Sequence, residues 1–85
     1  MILDITTKAE AERLPAFEVC AEPEVGAYYL WADFTDEDHT FFVRPVTVDE
    51  SGCLVDVFGI RDGVVKYLGR DKFIRESGRL CLLEE

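Results

Sequence analysis

Residues 53–68 read Cys53-Leu54-Val55-Asp56-Val57-Phe58-Gly59-Ile60-Arg61-Asp62-Gly63-Val64-Val65-Lys66-Tyr67-Leu68, and this stretch decides the fold. The run 53–60 is nearly continuous in apolar residues and is broken only by Asp56. β-Branched and aromatic side chains at this density form strands. Apolar side chains at both parities mark a central strand covered on both faces. Asp62-Gly63 follows. A type I′ turn needs positive φ at two consecutive residues, which Asp and Gly tolerate best, so this pair predicts a tight hairpin with 64–68 as the returning strand.

Upstream, residues 40–48 carry Phe41, Phe42, Val43, Val46 and Val48 and read as a strand joined to 53–60 by Asp49-Glu50-Ser51-Gly52. Pro45 sits inside it and cannot donate a ladder hydrogen bond, so this strand lies at an edge or is bulged there. One extra residue near Arg44-Pro45 would also bring Phe41, Val43, Val46 and Val48 onto one face. Residues 26–34 are rich in aromatics and read as the preceding strand, joined through 35–39. Tyr28, Leu30, Ala32 and Phe34 form the natural inward set. Tyr29 and Trp31 then fall beside Asp33 on the opposite side, where such residues anchor interfaces. Cover by the N-terminal helix or by residues 17–20 is the competing reading.

At the N-terminus, residues 1–5 suggest a short strand. Thr7-Lys8-Ala9-Glu10 fits a capping box, predicting a helix over roughly 7–14 that ends at Pro15. Downstream, residues 71–77 read as one to two turns of helix, capped by Asp71 and closed by Gly78. Residues 79–83 form a last strand. The fold class is therefore α+β and mostly antiparallel β. It is a five- to six-stranded meander or small SH3-like barrel, with a short N-terminal helix and a helical turn before the last strand. An open antiparallel sheet with the helix on one face is the competing arrangement. The SH3-like likeness is one of layout and carries no function.

The chain has 85 residues, 48% of them hydrophobic, which suits one domain over 1–85 with a modest core. No apolar run approaches the ~20 residues needed to span a bilayer. Met1-Ile2-Leu3-Asp4 places an acid where a secretory signal needs a base. Cys20, Cys53 and Cys81 are odd in number, widely spaced and set in apolar stretches, so they read as reduced, buried thiols in a cytoplasmic protein.

Charge is uneven. Eighteen acids against nine bases give a net charge of −9. Residues 1–42 hold ten acids and two bases, whereas 61–79 holds six bases and three acids. The overall sign disfavours nucleic acid as a direct ligand. Catalytic constellations are absent. His39 stands alone in a turn, no serine elbow appears, and no glycine pair fits a phosphate loop. The densest polar cluster is Asp33-Phe34-Thr35-Asp36-Glu37-Asp38-His39, but no calcium-loop register through it supplies the required glycine and final glutamate. The expectation is a protein that is not an enzyme, with no catalytic residues, no metal and no cofactor.

The function expected is that of a small acidic binding protein. Its carboxylates would dock on a protein partner's basic, nucleic-acid-binding surface and modulate a nucleic-acid-handling complex by mimicry. The candidate contact residues are Glu22, Glu24, Tyr29, Trp31, Asp33, Asp36, Glu37 and Asp38. In size, acidity and lack of catalytic groups the chain is similar in character to phage inhibitors of host defence, anti-CRISPR proteins among them, a similarity that rests on no motif. The alternative is a structural or assembly module, such as a homodimer, formed through complementary acidic and basic faces. Neither reading involves a membrane.

Overall fold

The computed structural model describes residues 5, 7–32 and 38–83. The first regular element is α1 (Lys8–Glu12). Thr7 is its N-cap, its hydroxyl oxygen accepting from the Glu10 N–H at 3.2 Å, and Arg13 ends it before Pro15. The five strands are β1 (Tyr29–Leu30), β2 (Thr40–Asp49), β3 (Gly52–Arg61), β4 (Val64–Glu76) and β5 (Arg79–Leu82). Sheet order follows chain order and every pairing is antiparallel, giving a curled half-barrel sheet with one short helix.

The structure departs from the sequence reading at two places. Residues 71–77 are not helical. β4 runs straight through to Glu76 and turns at Ser77 (φ 52°) and Gly78 (φ 79°), a second pair of positive-φ residues like Asp62 (φ 51°) and Gly63 (φ 76°). Gly78 therefore closes a hairpin and not a helix. Of the described residues 26–32, only Tyr29 and Leu30 pair with β2 as strand, opposite Val43 and Phe42. The strand suggested for 1–5 falls on residues of which only Ile5 is described, and that one lies outside any element.

The central position of β3 holds. Its odd positions Cys53, Val55 and Val57 join Phe17, Tyr29, Val43, Phe73 and Leu80 in one buried cluster. Its even positions Phe58 and Ile60 join Ile5, Ala11 and Phe42 in a second. Both faces are covered because two separate segments fold over the sheet. Phe17 packs its ring edge-on to Phe73, with centroids 5.0 Å apart, on the first face. On the second face, α1 brings Ala11 into the cluster and Leu14 against it.

The bulge expected beside Pro45 is present. Pro45 pairs with Val55 and Thr47 with Leu54, leaving Val46 as the extra residue. Val48 thereby comes opposite Cys53, on the face of Phe41 and Val43, although it lies at the exposed margin. A second bulge leaves Leu68 extra between Tyr67 and Gly69.

The β2–β3 turn is held by the Asp49 carboxylate. It accepts from the Ser51 hydroxyl at 2.6 Å, the Ser51 N–H at 2.8 Å and the Gly52 N–H at 3.1 Å. These bonds, the Ser51 hydroxyl's first, hold the carboxyl below its ordinary range. Gly52 admits no side chain, because a Cβ there would land on the Phe73 carbonyl oxygen and 2.8 Å from Ile74 Cα.

Candidate functional site

Among the predicted contact residues, the aromatic pair is placed differently from expectation. Tyr29 is a core residue, 7% exposed. Its ring lies 5.8 Å from Phe17, and its hydroxyl oxygen accepts from the Glu24 N–H at 2.9 Å. Burial raises the pKa of that hydroxyl. Trp31 is half-buried, its ring 5.2 Å from Phe73 and 6.3 Å from Phe41. The segment that covers them includes Phe17 and Cys20. Tyr28 and Tyr29 do fall on opposite faces, as alternation requires, but residues 17–20 cover the face of Tyr29, which is the competing reading. Tyr28 turns to the second face, 5.7 Å from Phe42, while Tyr29 enters the first.

The acids are not gathered into one patch among the described residues. Glu22 and Glu24 are exposed in the loop before β1, and Gly26 N–H in that loop donates to the Pro45 carbonyl at 3.1 Å. Asp38 is exposed just before Thr40, at the other end of β2. From Thr40 to Pro45 is about 17 Å of strand. Asp33, Asp36 and Glu37 lie outside the described residues. Among those described, no three His, Cys, Asp or Glu side chains come together as a metal set, and no helix is long and apolar enough to cross a membrane.

A cluster that the sequence reading passed over lies at the centre of the sheet. Asp56 is 5% exposed. In register it stands opposite Arg44 on β2 and Arg70 on β4, making one row across three strands. Its carboxylate accepts from Arg70 Nε at 3.0 Å, from the Tyr67 hydroxyl at 3.0 Å and from Arg44 Nη2 at 3.3 Å. Arg44 also lies over the rings of Phe58 and Tyr28, at 5.7 and 5.8 Å. Burial by itself raises the Asp56 pKa. The bonds from Arg70, Tyr67 and Arg44 outweigh it and hold the carboxyl below its ordinary range. The signal was available: a lone carboxylate inside an apolar central strand is buried only with partners. An open cleft of about 330 Å³ runs past this row, lined by Val25, Gly26, Pro45 and Val46 as well.

A second groove, of about 280 Å³, sits on the first face near the β3–β4 turn. Gly59, His39, Arg61, Asp62, Val64, Lys66 and Leu68 line it. His39 stacks on Phe41 with ring centroids 5.6 Å apart. The groove pairs apolar walls with a rim of mixed charge, in which Arg61 Nε lies 3.8 Å from the Asp62 carboxylate. Neither it nor the cleft sets a nucleophile beside a general base. No protein-family model, curated protein or solved structure matches the chain.

Proposed function

We propose that this protein is a non-catalytic binding protein whose acidic surface engages the basic, nucleic-acid-binding surface of a protein partner. One observation supports this reading above the others. Of the twelve described acidic residues, only Glu18 and Asp56 are buried. Both are satisfied internally, Glu18 by the Ala32 N–H at 2.9 Å and Asp56 by its arginines and tyrosine. With Asp56, Arg44 and Arg70 taken up by one another, the rest of the chain carries seventeen acids against seven bases. Such a surface presents a negative potential to any Lys- and Arg-lined groove, steering encounter and competing with phosphates.

The contact set carried forward is acidic. Glu22, Glu24 and Asp38 are at the surface, and Asp33, Asp36 and Glu37 belong to the same acid-rich run of sequence as Asp38. Tyr29 leaves the set as a core residue, and Trp31 keeps a half-exposed edge. The setting we propose is cytoplasmic, in keeping with three cysteines outside any disulfide.

The test is capture of a partner by the tagged protein from a nuclease-treated bacterial lysate at about 0.15 M salt, where exposed charges still act over ~8 Å. Mimicry requires two behaviours of whatever is retained. Added DNA duplex must displace it, and the D36K/E37K/D38K variant, checked for its fold by circular dichroism, must fail to hold it. A partner that tolerates the duplex, or that binds the variant equally well, refutes the proposal.

A further inference from the structure

We propose that Cys20 and Cys53 form a peroxide-responsive thiol pair, joined on oxidation by a reversible disulfide that staples residues 15–21 to the central strand. Nothing in the sequence pairs them, since they stand far apart in the chain. The fold brings them to one place. Residues 15–18 bond both outer strands of the sheet. Leu30 N–H of β1 donates to the Pro15 carbonyl at 2.9 Å, and Phe17 N–H donates to the Leu30 carbonyl at 2.8 Å. Leu80 N–H of β5 donates to the Glu18 carbonyl at 2.9 Å. Cys20 N–H then closes a turn onto the Phe17 carbonyl at 3.1 Å.

This turn lies over the start of β3. Cys53 stands opposite Phe73 in register, and the Phe17 ring packs edge-on to that same Phe73. Two residues along β4, and so on the same face, Arg75 donates from Nη2 to the Ala21 carbonyl at 3.0 Å. Residue 20 is therefore held between an anchor on Phe73 and an anchor on Arg75, and Cys20 packs against the buried cluster that contains Cys53. Burial raises the Cys53 pKa and the Cys20 thiol adds to that rise, which sets the two sulfurs within electrostatic reach. Cys81 is on the other side of the sheet. It pairs with Ile74, between Phe73 and Arg75, while its neighbours Leu80 and Leu82 face the first cluster.

Access assigns the roles. Cys20 is half-buried, whereas Cys53 is 2% exposed, so hydrogen peroxide meets Cys20 first. One peroxide oxygen passes to the Cys20 sulfur, the O–O bond breaks and water leaves, giving a sulfenic acid. The Cys53 sulfur then attacks the Cys20 sulfur. An S–S bond forms, the S–O bond breaks, and the hydroxyl leaves as water with the Cys53 proton. Two electrons pass from the thiols to the peroxide, and a thiol reductant returns them by exchange. Cytosolic disulfides of this transient kind act as redox sensors. Here the bond would tie to β3 the one segment that fastens β1 and β5.

The test oxidises the native protein with hydrogen peroxide, blocks remaining thiols with N-ethylmaleimide in denaturant and digests it at glutamate without reduction. Cleavage after Glu18, Glu24, Glu50 and Glu76 leaves the three cysteines in separate peptides. The expected result is a monomer with a Cys20–Cys53 cross-link that dithiothreitol removes. The C81S variant should keep the link, and in C53S dimedone should trap a sulfenic acid on Cys20. Oxidation in concentrated urea is the control for the fold, because the three pairings should then mix. The proposal is overturned if the native protein gives no cross-link or the same mixture as in urea. A dominant link through Cys81, a disulfide-linked dimer, or Cys20 carried to sulfinic acid with Cys53 still a thiol overturns it as well. The wild-type and C81S maps decide the pairing even if C53S does not fold.

Discussion

Replacing Asp56 with alanine should destabilise the fold by about 3 kcal/mol. The substitution removes the acceptor shared by Arg44, Arg70 and Tyr67. Arg44 is the costly partner, because its side chain is only 21% exposed and its charge would remain in a poorly solvated place. A charge-assisted bond of that kind is worth about 2 kcal/mol, and the Tyr67 hydroxyl bond about 1 kcal/mol. Arg70 is half exposed and returns to water, so its share is left out. Against a total stability of about 5–10 kcal/mol for so small a domain, the loss is large. Urea unfolding measures it directly, as a lower midpoint at unchanged slope. The triple replacement R44M/D56L/R70M should cost much less than Asp56→Ala, because no charge is then left behind in the sheet. A loss below about 1 kcal/mol for Asp56→Ala would refute the argument that the row is structurally important.

The same residue carries a pH signature. The folded pKa of Asp56 lies below its ordinary value. Its contribution is therefore complete above the unfolded pKa, near 4, and is lost as pH falls toward the folded value. Wild-type protein should lose stability below about pH 4 more steeply than the Asp56→Asn variant. Parallel curves would refute the assignment.

Three further outcomes are expected. Gly52→Ala should lower the melting temperature by at least about 10 °C, because the clash is with Phe73 and Ile74 backbone; an unchanged melting temperature would show that the β2–β3 turn relaxes freely. Phe17→Ala should cost about 3–5 kcal/mol in urea unfolding, since its ring is fully buried against Tyr29 and Phe73. Burial raises the Cys53 thiol pKa, so iodoacetamide at mildly alkaline pH should label the half-buried Cys20 and Cys81 first, and mass spectrometry showing early labelling at Cys53 would contradict its burial.

The parts of the fold legible in sequence were those governed by local chemistry. Asp62-Gly63 set a hairpin because few residue pairs accept two positive φ angles. Pro45 forced a bulge because it lacks an N–H. Cys53 to Ile60 was central because its apolar residues occupy both parities. Residues 71–77 misled because Phe73 and Ile74 among charged residues suit a helix or a two-sided strand equally, and Ser77-Gly78 suits a helix end or a hairpin. Alternation separates Tyr28 from Tyr29 correctly, but that residues 17–20 fold back over Tyr29 and Trp31 is a long-range contact that spacing leaves open. The candidate site was less legible than the fold. Whether Glu22, Glu24 and Asp38 share a patch depends on where distant segments land, which spacing along the chain does not encode. The Arg44–Asp56–Arg70 row was recoverable, since two hairpins read in register place the three side chains side by side.

Glu18 ties together three distant parts of the chain. Its carboxylate accepts from Ala32 beside β1, its carbonyl accepts from Leu80 of β5, and the adjacent Phe17 bonds Leu30. Both ends of a sheet that otherwise follows chain order are therefore fastened by one short segment. Amide hydrogen exchange should register this as a single opening unit: the N–H groups of Phe17, Leu30, Ala32 and Leu80 share one protection factor and lose it together, whereas the amides along residues 64–67 that face away from β3 exchange as fast as solvent allows.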